Sequence, residues 1–144
     1  MRTSRQIEYA LYGLFDLAYH GGPRPIRLSE VGRRQEIPAR YLEQIFGRLR
    51  RAGLVRSKRG PGGGYLLARP AGQISLADIV LALQGTLLAR AESDPAQGSP
   101  EFVWDLLEGA LDESLARRTL EDLCAEAARR GLERAGETPA MYEI

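Results

Sequence analysis

The residues best placed to do chemistry in this 144-residue chain are cations and glycines. Arg48, Arg50, Arg51, Arg56, Lys58 and Arg59 crowd one short stretch, and Gly60-Pro61-Gly62-Gly63-Gly64 follows at once. Cations packed this densely attract a polyanion, because each phosphate they neutralise releases condensed counterions. The glycines tolerate positive φ and leave the backbone bare, so a turn built from them can approach a partner closely. Apolar residues at 42, 45, 46 and 49 mark one face of a helix that breaks at Gly53. Runs 54–59 and 64–69 then alternate like strands on either side of the Gly/Pro turn. A helix followed by a basic β-ribbon fits a DNA groove beside its phosphates.

Other chemistry is scarce. The glycine run is no phosphate loop, since it lacks the following Lys-Ser/Thr and runs into a strand. No His/Cys nucleophile pair exists, and the carboxylates are spread along helical surfaces, so the chain is not expected to be an enzyme. No aromatic-rich sheet is available to stack RNA bases. The single cysteine, Cys124, cannot close an internal disulfide. It falls with Leu120, Leu123 and Ala127 on the apolar side of a helix, where it reads as a small core hydrophobe. The N-terminus lacks an apolar leader, and no run reaches the roughly 18 apolar residues of a membrane span, so a cytoplasmic location with no membrane contact is expected. The net charge of +1 conceals two unlike halves: residues 1–70 hold 14 Lys/Arg against 5 Asp/Glu, and residues 71–144 hold 6 against 14. That split suggests a basic surface for a polyanion and an acidic half employed differently.

Several elements must position these residues. Apolar positions 7, 10, 11, 14, 15, 17 and 18 predict an amphipathic helix ended by Gly21-Gly22-Pro23, with His20 at its end, where an imidazolium can meet the dipole. Residues 28–35 predict a shorter helix with Ser29 as N-cap. Ile37-Pro38 breaks the chain and restarts it into the cationic helix. Two helices split by a tight turn read as helix-turn-helix, and the ribbon after them is a wing. Ser75 and Asp78 predict a capping box, with Ile74 and Ile79 as its hydrophobic staple, opening a helix that ends at Gly85. Residues 90–100 read as a mobile polar loop. A long helix over 101–117 carries an apolar seam of Phe102, Val103, Leu106, Leu107, Ala110, Leu111 and Leu115. Little else in so small a chain can cover that seam, so burial against a second copy is expected. Thr119 caps a last helix from Leu120 to about Arg130, with a frayed tail from Gly131. The fold class is mainly α with a small β-wing: a winged helix-turn-helix DNA-binding domain over 1–72, linker and dimerisation helices over 73–134, and a flexible tail over 135–144.

These residues resemble the Rrf-type winged-helix transcription regulators. The likeness rests on Tyr9-Ala-Leu-Tyr-Gly-Leu, Ile37-Pro38 with Tyr41-Leu42-Glu43-Gln44-Ile45, Arg48-Leu49-Arg50, Ala52-Gly53-Leu54-Val55, Ser57 through Leu67, and Ile74 through Val80. It is strong over about residues 1–85 and looser along the seam helix. The resemblance implies a homodimer on a palindromic stretch of double-stranded DNA, with the second helix of each motif in the major groove and each wing at the flanking minor groove. Tyr41, Glu43 and Gln44 match the family's recognition-helix contacts, and Arg59 its wing contact, with Gly60 and Gly62 giving clearance. The chemistry agrees: a carboxylate such as Glu43 accepts from cytosine N4, Gln44 suits adenine, and arginine suits a narrow minor groove. Ser29, Arg40, Arg48, Arg50, Arg56 and Lys58 complete the expected DNA contacts, the basic ones on phosphates. For Glu43 the competing role is helix capping or an intrahelical partner, such as a pair with Arg48.

The chain departs from that pattern in one place. Cluster-binding relatives carry three closely spaced cysteines between the linker and seam helices, whereas Thr86–Glu101 holds neither cysteine nor histidine. Glu8 lies near a position that ligates in some relatives, but without partner cysteines it reads as a surface or salt-bridging glutamate. No metal, iron–sulfur cluster or other cofactor is therefore expected. A second reading has a regulatory protein docking on the acidic half, or a small ligand seated between the linker and seam helices.

Overall fold

A computed structural model describes residues 3–88, 90 and 94–135. The chain enters through α1 (Thr3–Asp16), whose Ala10 and Leu14 are fully buried. Its last turn widens into a π-helical turn, Leu17–Gly21, before Gly22 at φ 57° turns the chain away. Ile26 then pairs with the wing: its N–H donates to Tyr65 O at 2.9 Å, and Tyr65 N–H donates to Ile26 O at 2.7 Å.

The next helix spans the expected residues 28–35 but is capped differently. The Ile26 pairing holds the chain extended through Arg27, so α2 (Leu28–Gln35) begins with Arg27 as its N-cap and no side-chain cap. Ser29 lies inside the first turn, exposed, and is not the cap its residue type suggested. The helix-turn-helix corner is tight. Glu36 takes a left-handed φ of 55°, and Ile37 N–H donates to Gly32 O at 3.0 Å. A Cβ on Gly32 would stand 2.8 Å from Ile37 O, so only glycine allows this approach.

Helix α3 (Ala39–Arg51) follows Pro38 and buries Leu42, Ile45, Phe46 and Leu49, the stripe that its spacing predicts. After Gly53 the wing forms from β1 (Val55–Lys58) and β2 (Gly64–Leu67), antiparallel, with Val55 opposite Leu67 and Lys58 opposite Gly64. Both strands fall inside the expected runs.

Helix α4 (Leu76–Gln84) opens with the expected capping box: Ser75 Oγ accepts from Asp78 N–H at 3.0 Å, and an Asp78 carboxylate oxygen accepts from Ser75 N–H at 2.9 Å. The staple residues Ile74 and Ile79 are fully buried, and Gly85 ends the helix in a left-handed turn. α5 (Phe102–Ala116) follows, then α6 (Leu120–Arg129), whose Thr119–Asp122 capping box repeats the device. α6 folds back: Leu76 N–H donates to Arg118 O and Leu120 N–H to Ile74 O, and the buried Leu120 joins one core with Leu14, Phe46, Ile79 and Leu83.

Residues 131–135, where fraying was expected, are tied down. Leu132 N–H donates to Ala127 O, the Tyr19 hydroxyl donates to Leu132 O, and Ala135 N–H donates to His20 Nδ1 at 2.9 Å. The expected loop and flexible tail fall partly on residues 91–93 and 136–144, which lie outside the described residues.

Candidate nucleic-acid interface

Once Leu42, Ile45, Phe46 and Leu49 are buried, α3 turns Arg40, Glu43, Gln44, Arg50 and Arg51 to the surface. Tyr41 is half-buried on the flank adjoining α1. The wing presents Arg56, Ser57, Lys58 and Arg59, and its tip turns through Gly60 at φ 92° and Gly62 at φ 74°. Helix and wing form one unit. Leu54 N–H donates to Leu49 O at 3.0 Å, and the Phe46 and Tyr65 rings meet edge to face at 5.1 Å. Among the described residues no carboxylate pairs with Arg50, Arg51, Arg56, Lys58 or Arg59, and Glu43 has no ion-pair partner. The result is an exposed cationic strip with one free carboxylate in its middle.

Arg48 does not belong to that strip. Its Nη1 donates to Gln6 Oε1 at 2.7 Å and its Nη2 to the Leu83 carbonyl, one of the last carbonyls of α4. Seven residues beyond Tyr41, it lies two turns along the same flank of α3, facing α1 and α4 and away from the outward side. This corrects its assignment to phosphate contact, and the intrahelical Glu43–Arg48 pair does not form.

The sequence pattern missed a buried ion pair beneath this surface. Asp16, fully buried, accepts from Arg34 Nη2 at 2.6 Å, Arg34 Nε at 3.0 Å and Gln35 Nε2 at 3.0 Å. The bonds to Asp16 push the Arg34 guanidinium's pKa up, and that to Glu30 adds to it. The one signal available was an aspartate within the apolar face of α1, a place that demands a partner.

His20 also departs from expectation. Burial lowers its pKa; Arg34 and Arg134 lower it further, and Asp16 opposes them. Its Nδ1 accepts a hydrogen bond, so the ring is a neutral imidazole at this site and not an imidazolium capping a dipole. Glu8 forms the expected surface pair, 3.9 Å from Arg5. Cys124 is half-buried on α6, and burial pushes its thiol up in pKa, which fits an unreactive side chain. The seam helix α5 exposes Phe102 and Leu106 by 65% each and Leu107 by 45%, while Leu111 and Leu115 are half-buried. No helix among the described residues is long and apolar enough to cross a membrane.

A helix-turn-helix joined rigidly to a basic wing defines the class: DNA-binding winged-helix transcription regulators. Comparison with known proteins narrows it. The pattern of the Rrf2 family, described as iron-dependent transcriptional regulators, matches residues 3–126, and the chain belongs to that family. It is 42% identical over 127 residues to the regulator IscR of Cereibacter sphaeroides, covering 87% of this chain and 77% of that one. It is 38% identical over 129 residues to an HTH-type transcriptional regulator of Neisseria meningitidis serogroup A, covering 85% and 87%. Among solved structures it superposes on T. potens IscR with a TM-score of 0.74 at 32% identity, covering 99% and 96% of the two chains. It also superposes on CymR, the global cysteine regulator of B. subtilis, with a TM-score of 0.73 at 33% identity, covering 88% and 98%. These relatives are regulators, not enzymes, and this chain is a DNA-binding transcription regulator of the same family.

Proposed function

We propose that two copies of this chain bind a palindromic operator, α3 of each in the major groove and each wing in the flanking minor groove, without an iron–sulfur cluster. The observation that carries the reading is the unneutralised cationic strip of α3 and wing, interrupted by the free Glu43. Arg40, Arg50, Arg56 and Lys58 hold phosphates and set the register, joined by the exposed Ser29 of α2. Tyr41, Glu43 and Gln44 read base edges, Glu43 accepting from cytosine N4. Arg59 enters the minor groove, where Gly60 and Gly62 keep the backbone clear. Two-fold symmetry comes from the exposed apolar face of α5, with Phe102, Val103, Leu106, Leu107 and Ala110 meeting their copies and Leu111 and Leu115 flanking them.

A thiolate-held cluster does not fit these residues. The one cysteine is half-buried on α6, and the segment 86–101 between α4 and α5 offers no thiol or imidazole.

Selection from random-sequence DNA followed by gel shift tests the reading. The expected result is a two-fold-symmetric site bound in a salt-sensitive way, and Glu43→Ala relaxing discrimination at a cytosine-bearing position by about 1 to 3 kcal/mol. Uniform binding to all sequences would count against it. One observation favours a second input, a regulatory protein or small ligand acting on the acidic half. An open cleft of about 730 Å³ between α5 and α6 is lined by Ala110, Glu113, Arg117, Arg118, Asp122 and Glu126. A molecule seated there would touch both helices, and its effect would be read as a change in operator affinity.

A further inference from the structure

α1 and α3 meet in a ladder of four side chains at the edge of the cationic strip. The guanidinium of Arg5 stands 5.8 Å from the centre of the Tyr9 ring. The Tyr9 ring lies 6.1 Å from that of Tyr41 with their planes 27° apart, an offset stack. The Arg40 guanidinium sits 4.7 Å from the Tyr41 ring centre, and its Nη2 donates to the Tyr41 hydroxyl oxygen at 2.9 Å. A cation thus lies near each of two neighbouring electron-rich rings, an arrangement in which each side chain limits the rotamers of the next. Both tyrosines are half-buried and pack on the core, so the ladder is anchored from below.

Tyr41 lies in the first turn of α3, the part of a recognition helix that meets base edges. A side chain fixed before the encounter spares the entropy of ordering it on DNA, and fixes which edge it meets. We propose that Tyr9, on α1, is a specificity-positioning residue: it sets the Tyr41 ring for sequence readout without itself touching the bases. The inference rests on the reading of Tyr41 as a base-contacting residue.

The test measures binding of the full chain to its selected operator and to a random-sequence duplex of equal length, over a range of salt. Tyr9→Leu is expected to weaken operator binding about five- to tenfold while random-duplex affinity and salt slope hold within about twofold. Tyr9→Phe, which keeps the stack, stays near the parent. In a Tyr41→Ala background, Tyr9→Leu costs no further selectivity, because its effect runs through Tyr41. Should the leucine variant fail to fold, Tyr9→Met fills the volume without a planar face and carries the same expectation. Equal losses on both duplexes, or a loss that adds in full to that of Tyr41→Ala, would reduce Tyr9 to scaffold packing and overturn the proposal. Selectivity lost in Tyr41→Ala but kept in Tyr9→Leu overturns this inference alone. Selectivity kept in Tyr41→Ala overturns it together with the assignment of Tyr41 as a reader.

Discussion

Arg34 grips Asp16 with two nitrogens, Nη2 on one carboxylate oxygen at 2.6 Å and Nε on the other at 3.0 Å, and the Asp16 side chain is wholly out of solvent. The pair ties the end of α1 to the end of α2, the first helix of the DNA-binding motif. Gln35 adds a third donor to the same carboxylate, so the buried charge has several of its acceptor positions filled. Set one residue before the π-helical turn, this clamp fixes where α2 stands and hence the angle at which α3 leaves the corner.

Removing Asp16 strips the Arg34 guanidinium of its closest partner and leaves it only Glu30, at 3.5 Å. Asp16→Asn is expected to cost about 3 kcal/mol, roughly 10 °C of Tm for a chain of this length. Urea denaturation measures it, and a loss below about 1 kcal/mol would show the pair to be incidental. Replacing Asp16 and Arg34 together by apolar residues of similar volume should recover part of the loss, because no charge is then stranded.

Arg48 and Arg50 make a matched contrast, two residues apart on α3. Arg48 is bonded to Gln6 and to the Leu83 carbonyl, whereas Arg50 is exposed with no carboxylate paired to it among the described residues. Arg50→Ala should reduce the salt slope of operator binding by about one while leaving Tm nearly unchanged. Arg48→Met should leave the salt slope alone and lower stability by about 1 to 3 kcal/mol, having lost two charge-assisted bonds. The opposite pattern would return Arg48 to the phosphates.

Much of this is legible in the amino-acid sequence. The stripe of Leu42, Ile45, Phe46 and Leu49, the Ser75–Asp78 box, the Gly85 stop and the wing strands are local signals, each written in neighbouring residues. The cationic strip was legible because charge density needs no partner to be seen. What escaped depends on distant chain. Asp16 meets a residue 18 positions away, and Arg48 one 35 positions away. Ile26 pairs with Tyr65 as a single residue, too short to show an alternating pattern, and that pairing displaced Ser29 from the cap. His20 reads as an imidazolium at a helix end because the groups that meet it, at residues 132–135, lie more than a hundred positions along the chain.

His20 also gives a direction for pH. Its folded pKa lies below the ordinary value of 6.5, chiefly through burial, so the unfolded chain binds the proton more readily. The neutral ring therefore favours the fold above about pH 6.5, and that contribution is lost as pH falls from there toward the depressed folded pKa. Urea midpoints for the parent and His20→Gln should converge as pH falls from 7.5 to 5.5. A difference that stays constant across that range would show that His20 does not titrate differently in the two states.

The apolar face of α5 sets the last expectation. Phe102 and Leu106, one turn apart, are each 65% exposed, and Leu107 extends the same face, whereas Leu111 and Leu115 are half-buried. An exposed apolar patch of this kind marks an interaction site. Charge placed on Phe102 and Leu106 should therefore disrupt assembly with little harm to the fold of the single chain, which would be less true of Leu111. Phe102→Glu with Leu106→Glu is expected to sediment as a monomer with unchanged helical content. Its operator affinity should fall by at least about a hundredfold, because two half-sites then bind independently and the gain from linking them is lost. Binding to a single half-site should stay near the parent's value, since α3 and the wing are untouched. A variant that remained dimeric would place the two-fold interface elsewhere on the chain, with the cleft between α5 and α6 the next surface to alter.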